Sequence, residues 1–313
     1  MEDRFKREID YLRISVTDRC NLRCFYCMPE EGVVKKAHAN ILRDEEILEA
    51  ARAAVKLGLK KIRITGGEPL VRKGIYELIE KIHAIEGIRE ITLTTNGTLL
   101  RGNVKKLKAA GVKRVNLSLD TMDADTYRAI TRTPEPIDYH GIIQELIDEG
   151  MQPVKVNAVL LRGINDHEIE DFMDLADRYD ITVRFIELMP IGHLPYDYKR
   201  HLITKDEILQ RHPELKLETK ERVAENYAIP GKRGRIGFID PISHKFCSRC
   251  NRLRLTADGK LKPCLHSNEE IDIKDLTPTE LLHTFKKAIH HKPASHAVNP
   301  NTQIDRSMNK IGG

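Results

Sequence analysis

Six cysteines carry the most visible chemistry in this chain. Cys20, Cys24 and Cys27 form a CxxxCxxC run, and Cys247, Cys250 and Cys264 form a second group more than 200 residues later. Thiolates gathered in threes are ligands for soft metals. Disulfides are the other use of an even cysteine count. The leading segment MEDRFKREIDYLR lacks the apolar stretch of a secretory signal, however, which predicts a reducing cytoplasmic setting. A structural zinc site closes with four ligands. The second group supplies three, with His266 as a candidate fourth, so zinc stays open there. The first group is tighter, and its spacing suits a 4Fe–4S cube with one thiolate per corner. Three cysteines leave the fourth iron open, where a metal does its chemistry. The bland alternative is three buried structural thiols.

A second set of candidates is polar and sits in otherwise apolar runs. Gly66-Gly67-Glu68-Pro69 combines glycines that let the backbone approach a ligand with a carboxylate suited to a substrate ammonium and a proline that stiffens the turn. Alone it reads as a plain strand-to-helix turn. Strand alternation sets Arg13 on the face opposite Leu12 and Ile14, and Lys155 opposite Val154 and Val156. Such cations bind phosphate, Arg through forked donors and Lys as a point charge. In isolation each reads as a solvated or snorkelling side chain. Met189, beside Pro190, reads equally as core.

These residues need a scaffold that gathers them. Apolar and β-branched runs predict strands at Tyr11–Thr17, Lys60–Thr65, Glu90–Thr95, Arg114–Leu119, Val154–Leu161 and Thr182–Leu188. Helical periodicity falls between them, with Asp44 as the expected cap of the first helix and Asp166 opening the one with Ile169, Phe172 and Leu175. Strand–helix alternation argues for an α/β parallel sheet. Six units are too few for a closed eight-fold barrel and suit a partial (βα)6 TIM-type barrel. Each unusual motif follows a strand, and barrel active sites form at the C-terminal strand ends. One shared site is therefore expected. The rhythm stops near Pro195, which divides the chain into a barrel core, 1–195, and a C-terminal segment, 196–313, carrying the second cysteine group and closing the open side. A last helix is expected at Pro278–Ile289.

The chain has 313 residues, 32% charged and 40% hydrophobic, with formal net charge +5 and mean hydropathy −0.44. That balance excludes disordered and membrane-embedded classes. The mild basic excess suits a phosphorylated substrate. With no Trp, nine Tyr and seven Phe, a stacking surface for nucleic acid is not expected.

The first triplet resembles the signature of the radical S-adenosylmethionine (SAM) superfamily. With Leu12-Arg13-Ile14-Ser15-Val16-Thr17-Asp18-Arg19-Cys20, Arg63-Ile64-Thr65-Gly66-Gly67-Glu68-Pro69-Leu70, Thr94-Thr95-Asn96-Gly97, Glu187-Leu188-Met189-Pro190, the second triplet and the terminal Gly-Gly, nearly the whole chain resembles the GTP-cyclising family of molybdenum cofactor biosynthesis. The resemblance implies two 4Fe–4S clusters with three cysteine ligands each, the first generating a radical from SAM and the second binding guanine. It implies a carbon–carbon bond-forming lyase in which ribose C3′ of GTP joins C8 of the base. By resemblance, Tyr26, Gly67, Glu68, Ser118 and Met189 bind SAM. Arg13, Arg63, Thr94, Lys155, Arg252, Leu253 and Arg254 bind GTP. Arg252, Arg254, Gly312 and Gly313 join the first three cysteines as catalytic candidates. The implied partners are an external electron donor and the next enzyme, cyclic pyranopterin monophosphate synthase, with a homodimer among the open oligomeric states. The competing classes are another radical SAM enzyme with an auxiliary cluster and a non-catalytic iron–sulfur or zinc protein.

Overall fold

The structure is a computed structural model that describes residues 1–32, 41–192, 198–298 and 304–312. The six expected strands form as β1 (Tyr11–Ser15), β2 (Lys61–Thr65), β3 (Glu90–Thr95), β4 (Val112–Ser118), β5 (Lys155–Val159) and β6 (Thr182–Ile186). The C-terminal segment adds β7 (Lys216–Lys220), β8 (Glu225–Ala228), β9 (Arg235–Ile239), β10 (Arg252–Leu255), β11 (Lys260–Lys262) and β12 (Ile271–Asp272). All lie in one sheet, in the order β12-β11-β10-β1-β2-β3-β4-β5-β6-β9-β8-β7. From β10 through β1–β6 to β9 every pairing is parallel, and the outer hairpins are antiparallel. Among the described residues no pairing joins β7 to β12, so the barrel stays open. The C-terminal segment thus extends both edges of the six-unit barrel with parallel strands, an arrangement that strand–helix rhythm alone does not reveal.

The helices are α1 (Asp44–Lys56), α2 (Ile75–His83), α3 (Val104–Ala109), α4 (Ala124–Thr131), α5 (Tyr139–Asp148), α6 (Ile169–Tyr179), α7 (Tyr198–His201), α8 (Lys205–Arg211), α9 (Pro278–His290) and α10 (Met308–Ile311). Two expected starts need correction. Arg43 occupies the cap position of α1, and Asp44 begins the first turn with Glu45 and Glu46, where carboxylates oppose the helix dipole. Asp166 instead accepts from the Gly163 N–H at 2.7 Å, and Glu168 precedes α6. Helix α9 starts as its sequence suggests, with Thr277 and Glu280 reciprocally capping and Pro278 first.

The sheet is polar on its inner face. Leu12, Ile14, Ile62, Ile64, Leu93, Val115, Leu117, Val156, Val183, Phe185, Leu253 and Leu255 are buried in one apolar core with residues of the helices. The alternate positions, Arg13, Arg63, Thr94, Asn116, Ser118, Asn157, Arg184, Arg252 and Arg254, line a cavity of about 310 Å³. A packed barrel carries branched apolar layers there. Polar groups in that place mark a ligand chamber.

Candidate active site

The first triplet lies on the loop after β1. Turn hydrogen bonds run from the Cys27 and Met28 N–H groups to the Cys24 carbonyl, and Phe25 N–H donates to Ile130 at the end of α4. Gly66 and Gly67 after β2 serve this loop directly. A Cβ on Gly67 would stand 2.3 Å from the Arg19 carbonyl oxygen, and one on Gly66 2.6 Å from that of Thr17. Their close approach is therefore to the cysteine loop's own backbone, fixed by Gly67 N–H to Thr17 O and Glu68 N–H to Arg19 O. Glu68 also differs from expectation. Fully buried, its carboxylate accepts from Thr95 Oγ1 at 2.8 Å, Asn96 N–H at 2.8 Å and Leu70 N–H at 3.0 Å. It braces the loops after β2 and β3, and burial pushes it up to about 7. Asn96 in turn directs Nδ2 toward Cys20 Sγ at 3.6 Å.

Burial pushes Cys27 up to about 12, with Cys20 and Asp120 adding to the rise, and Cys24 rises likewise under burial and the Asp120 charge. Asp120 follows β4, accepts from the Tyr26 hydroxyl at 2.6 Å and the Val159 N–H at 2.8 Å, and is itself pushed up to about 6 by burial. These surroundings are acidic. Thiols so raised, half-buried at the cavity, need a cationic metal group before they ionise. Ser118 and Met189 border the same cavity.

The second triplet is assembled from distant segments. Cys247 and Cys250 bound a short 3-10 turn after β9, and Cys264 follows β11. Arg7 donates to the Cys247 carbonyl at 2.8 Å and the Pro293 carbonyl at 2.8 Å. Lys292, 2% exposed, donates to the Pro263 carbonyl at 2.6 Å and the Arg252 carbonyl at 2.7 Å, with Cys250 Sγ at 4.0 Å. Burial raises Cys250, but the Lys292 and Arg252 charges outweigh it and leave the thiol below its ordinary range. Cys264 is raised by burial. His266 turns Nε2 to Met189 Sδ at 3.3 Å and stacks on His296. Burial holds it neutral, down to about 3. Among the described residues no three His, Cys, Asp or Glu side chains converge as a single metal ion requires. Thiols in threes are the donor set that iron–sulfur groups take.

Between the triplets runs a row of arginines. Register pairs Arg13 of β1 with Arg254 of β10 and with Arg63 of β2. Arg13 lies well below its usual range through burial and the Arg254 charge, and burial brings Arg254 down to about 10. Arg63 and Arg252 flank the Tyr11 ring at 5.6 and 5.7 Å. Arg63 Nε donates to Thr92 Oγ1 at 3.1 Å, and Thr94 Oγ1 lies at 3.5 Å from Nη1. Such crowded, buried cations favour an anion among them. Gly312 brings its carbonyl there, 3.2 Å from Arg254 Nη1 and 3.5 Å from Arg13 Nη2. Gly313 lies outside the described residues.

Two expected positions differ. Leu253 points into the outer apolar core, because it alternates with Arg252 and Arg254. Lys155 is held by Glu221 at 3.1 Å rather than lining the cavity. Three residues were missed: Arg184, Asn116 and Asn157, all cavity-lining. Asn116 Oδ1, Asn157 Oδ1, Arg184 Nε and Arg252 Nε are buried without a hydrogen-bond partner among the described residues. For Asn116, Asn157 and Arg184 the signal was available as a polar residue between two apolar ones, in Val115-Asn116-Leu117, Val156-Asn157-Ala158 and Val183-Arg184-Phe185.

An open parallel barrel with a three-thiol loop at its mouth defines a class, and the comparisons agree. Residues 14–176 match the radical SAM superfamily, and residues 181–298 match Molybdenum Cofactor Synthesis C. Among solved structures, anSMEcpe with bound AdoMet shares the fold at TM-score 0.57, 18% identity, 89% of this chain and 84% of that one. Streptococcus suis SuiB bound to S-adenosylmethionine does so at TM-score 0.60, 16% identity, 89% of this chain and 64% of that one. Relatives named GTP 3′,8-cyclase from Alkaliphilus oremlandii and Thermodesulfovibrio yellowstonii are each 49% identical, covering 100% of both chains. The chain belongs to the radical SAM superfamily and, within it, to the GTP 3′,8-cyclase family.

Proposed function

We propose that this chain converts GTP into (8S)-3′,8-cyclo-7,8-dihydroguanosine 5′-triphosphate, an early step of molybdenum cofactor biosynthesis. The observation that carries this reading is the meeting of two thiol triplets and a row of buried arginines around one cavity. In this reading Cys20, Cys24 and Cys27 hold one 4Fe–4S cluster, and Cys247, Cys250 and Cys264 hold a second. When bound, the first cluster and SAM supply a one-electron cleavage whose radical takes the ribose C3′ hydrogen, at the expense of an external electron donor.

The chain's own part is positional. Tyr26, Gly67, Ser118 and Met189 border the SAM side, with Glu68 fixing the loops that present them. Arg13, Arg63, Arg252 and Arg254, joined by Thr94, Arg184 and Lys155, receive the triphosphate. Leu253 contributes by anchoring β10 so that both its arginines face inward. Gly312 brings its backbone carbonyl between substrate and arginines. Residues 1–195 serve as the SAM-handling core and 196–313 as the substrate segment. The product then passes in the cytoplasm to cyclic pyranopterin monophosphate synthase. No helix among the described residues is long and apolar enough to cross a membrane.

Anaerobic reconstitution followed by incubation with GTP, SAM and a reductant tests the reading. It expects about eight irons per chain, 5′-deoxyadenosine, and a cyclised isomer of GTP resolved by chromatography and fragmentation. Deoxyadenosine without a cyclised nucleotide would overturn it.

A further inference from the structure

One corner of the basic interior already holds an anion. Lys155 and Arg184 stand on the adjacent strands β5 and β6, and a single carboxylate, Glu221, serves both. Glu221 Oε1 accepts from Lys155 Nζ at 3.1 Å and Asn226 Nδ2 at 3.1 Å, while Oε2 accepts from Arg184 Nη2 at 2.6 Å. Two cations converging on separate oxygens of one anion is also how a phosphate is held.

The carboxylate does not come from the barrel wall. It hangs from the turn between β7 and β8, whose Val223 lines the main cavity. The Glu221 side chain is 41% exposed, against 11% for Lys155 and 6% for Arg184. The cations are therefore fixed and buried, whereas their partner reaches in from the surface. Glu221 also borders a separate cleft with Arg7, Lys220, Arg222 and Arg249, in which Glu8 is the other carboxylate. A displaced carboxylate would find basic groups on that side.

We propose that Glu221 is a resident counter-ion occupying the seat of a substrate phosphate, displaced when a polyphosphate chain enters the barrel. This rests on the reading above, in which the phosphates of GTP lie on the inner cations. Without Glu221, two buried positive groups would stand unneutralised in the empty barrel and would attract any small anion. With it, the seat is closed to weak competitors. Only the carboxylate side of this pair meets water, so Glu221 can leave into solvent only when an incoming phosphate keeps the two buried cations neutralised. A triphosphate held at the same time by Arg13, Arg254 and the guanine site therefore displaces a carboxylate that a lone small anion cannot. Glu221 thus acts as a specificity residue and trades some affinity for discrimination.

The test measures binding of GTP, guanosine and tripolyphosphate to the reconstituted protein by calorimetry, for the wild type, Glu221→Gln and Glu221→Ala. Both variants should bind GTP and tripolyphosphate about tenfold more tightly and guanosine with unchanged affinity. A residue with a merely structural role would leave GTP binding unchanged or weaken it, and that result in both variants overturns the proposal. A wild type that binds GTP no more tightly than guanosine would overturn the underlying reading, and the proposal with it.

Discussion

The two thiol triplets differ in construction and in charge. The first comes from one short loop, Cys20 to Cys27, pinned by the glycines after β2 and the end of α4. Its neighbours are the carboxyls Asp120 and Glu68. The second is tied together by Arg7 from the N-terminal arm and Lys292 just beyond α9, and it faces Arg252 and Arg254. Charge complementarity gives the difference a meaning. SAM carries a sulfonium and an ammonium, whereas GTP carries a triphosphate. Acidic surroundings suit the first ligand and basic surroundings the second. By the same contrast a metal group held by the first triplet would be the stronger electron donor, because negative neighbours make an added electron easier to give up.

The largest effects should separate the triplets. Cys24→Ser should abolish 5′-deoxyadenosine formation and lower iron to about four per chain, while GTP affinity stays within about twofold by calorimetry. Cys264→Ser should do the reverse, keeping deoxyadenosine formation in the same chromatographic assay and abolishing the cyclised nucleotide. If each variant lost both activities equally, the two triplets would not be functionally distinct.

The asymmetry also explains what the sequence made legible. A local loop announces itself by spacing, so the first triplet and the Gly66-Gly67 turn could be read directly. The six barrel strands were equally plain, since β-branched runs and turn residues repeat. Alternation put Arg13 on the face opposite Leu12 and Ile14, but in isolation that face read as solvated. Its inward direction, shared by Arg252 and Arg254, appears only with the sheet, where the same rule turns Leu253 outward into the apolar core. Long-range assembly was not readable. Nothing local says that β10 pairs in parallel with β1, that Lys292 lies against Cys250, or that Glu221 reaches Lys155. Those contacts depend on sheet order, which the loss of rhythm after Pro195 concealed. Glu68 shows a further limit. Its position identified the site, but its role as a brace appeared only with its three donors.

A smaller effect is expected at the tail, which lies between the two charge fields. Gly312 has φ +84°, and a Cβ there would stand 2.8 Å from Ser15 Cβ and 3.0 Å from Thr65 Cγ2. Both neighbours belong to barrel strands and cannot yield as a flexible side chain would. Gly312→Ala should therefore expel the tail from the arginines. Cyclised product should fall at least about tenfold, with iron content unchanged and GTP affinity largely kept. Wild-type turnover in this variant would make the glycine a terminus only.

The smallest effect concerns the acidic side alone. Asp120 is half-buried, and desolvation pushes it up to about 6, above the 3.8 of an exposed aspartate. Between those values the folded chain holds a proton that the unfolded chain has released. The stability this contributes is complete below pH 3.8 and is lost as pH rises through about 6. Asn at this position is neutral at every pH and keeps an oxygen that can accept from the Val159 N–H or the Tyr26 hydroxyl. In metal-free protein, urea unfolding from about pH 4 to about pH 7 should show the wild type losing stability with rising pH. Asp120→Asn should give a flatter profile across the same range. The two curves should separate between about pH 4 and about pH 6 and run parallel above about pH 7. Curves that stay parallel through that window would mean that Asp120 titrates like a surface carboxylate, untouched by the desolvation that also raises Cys24 and Cys27.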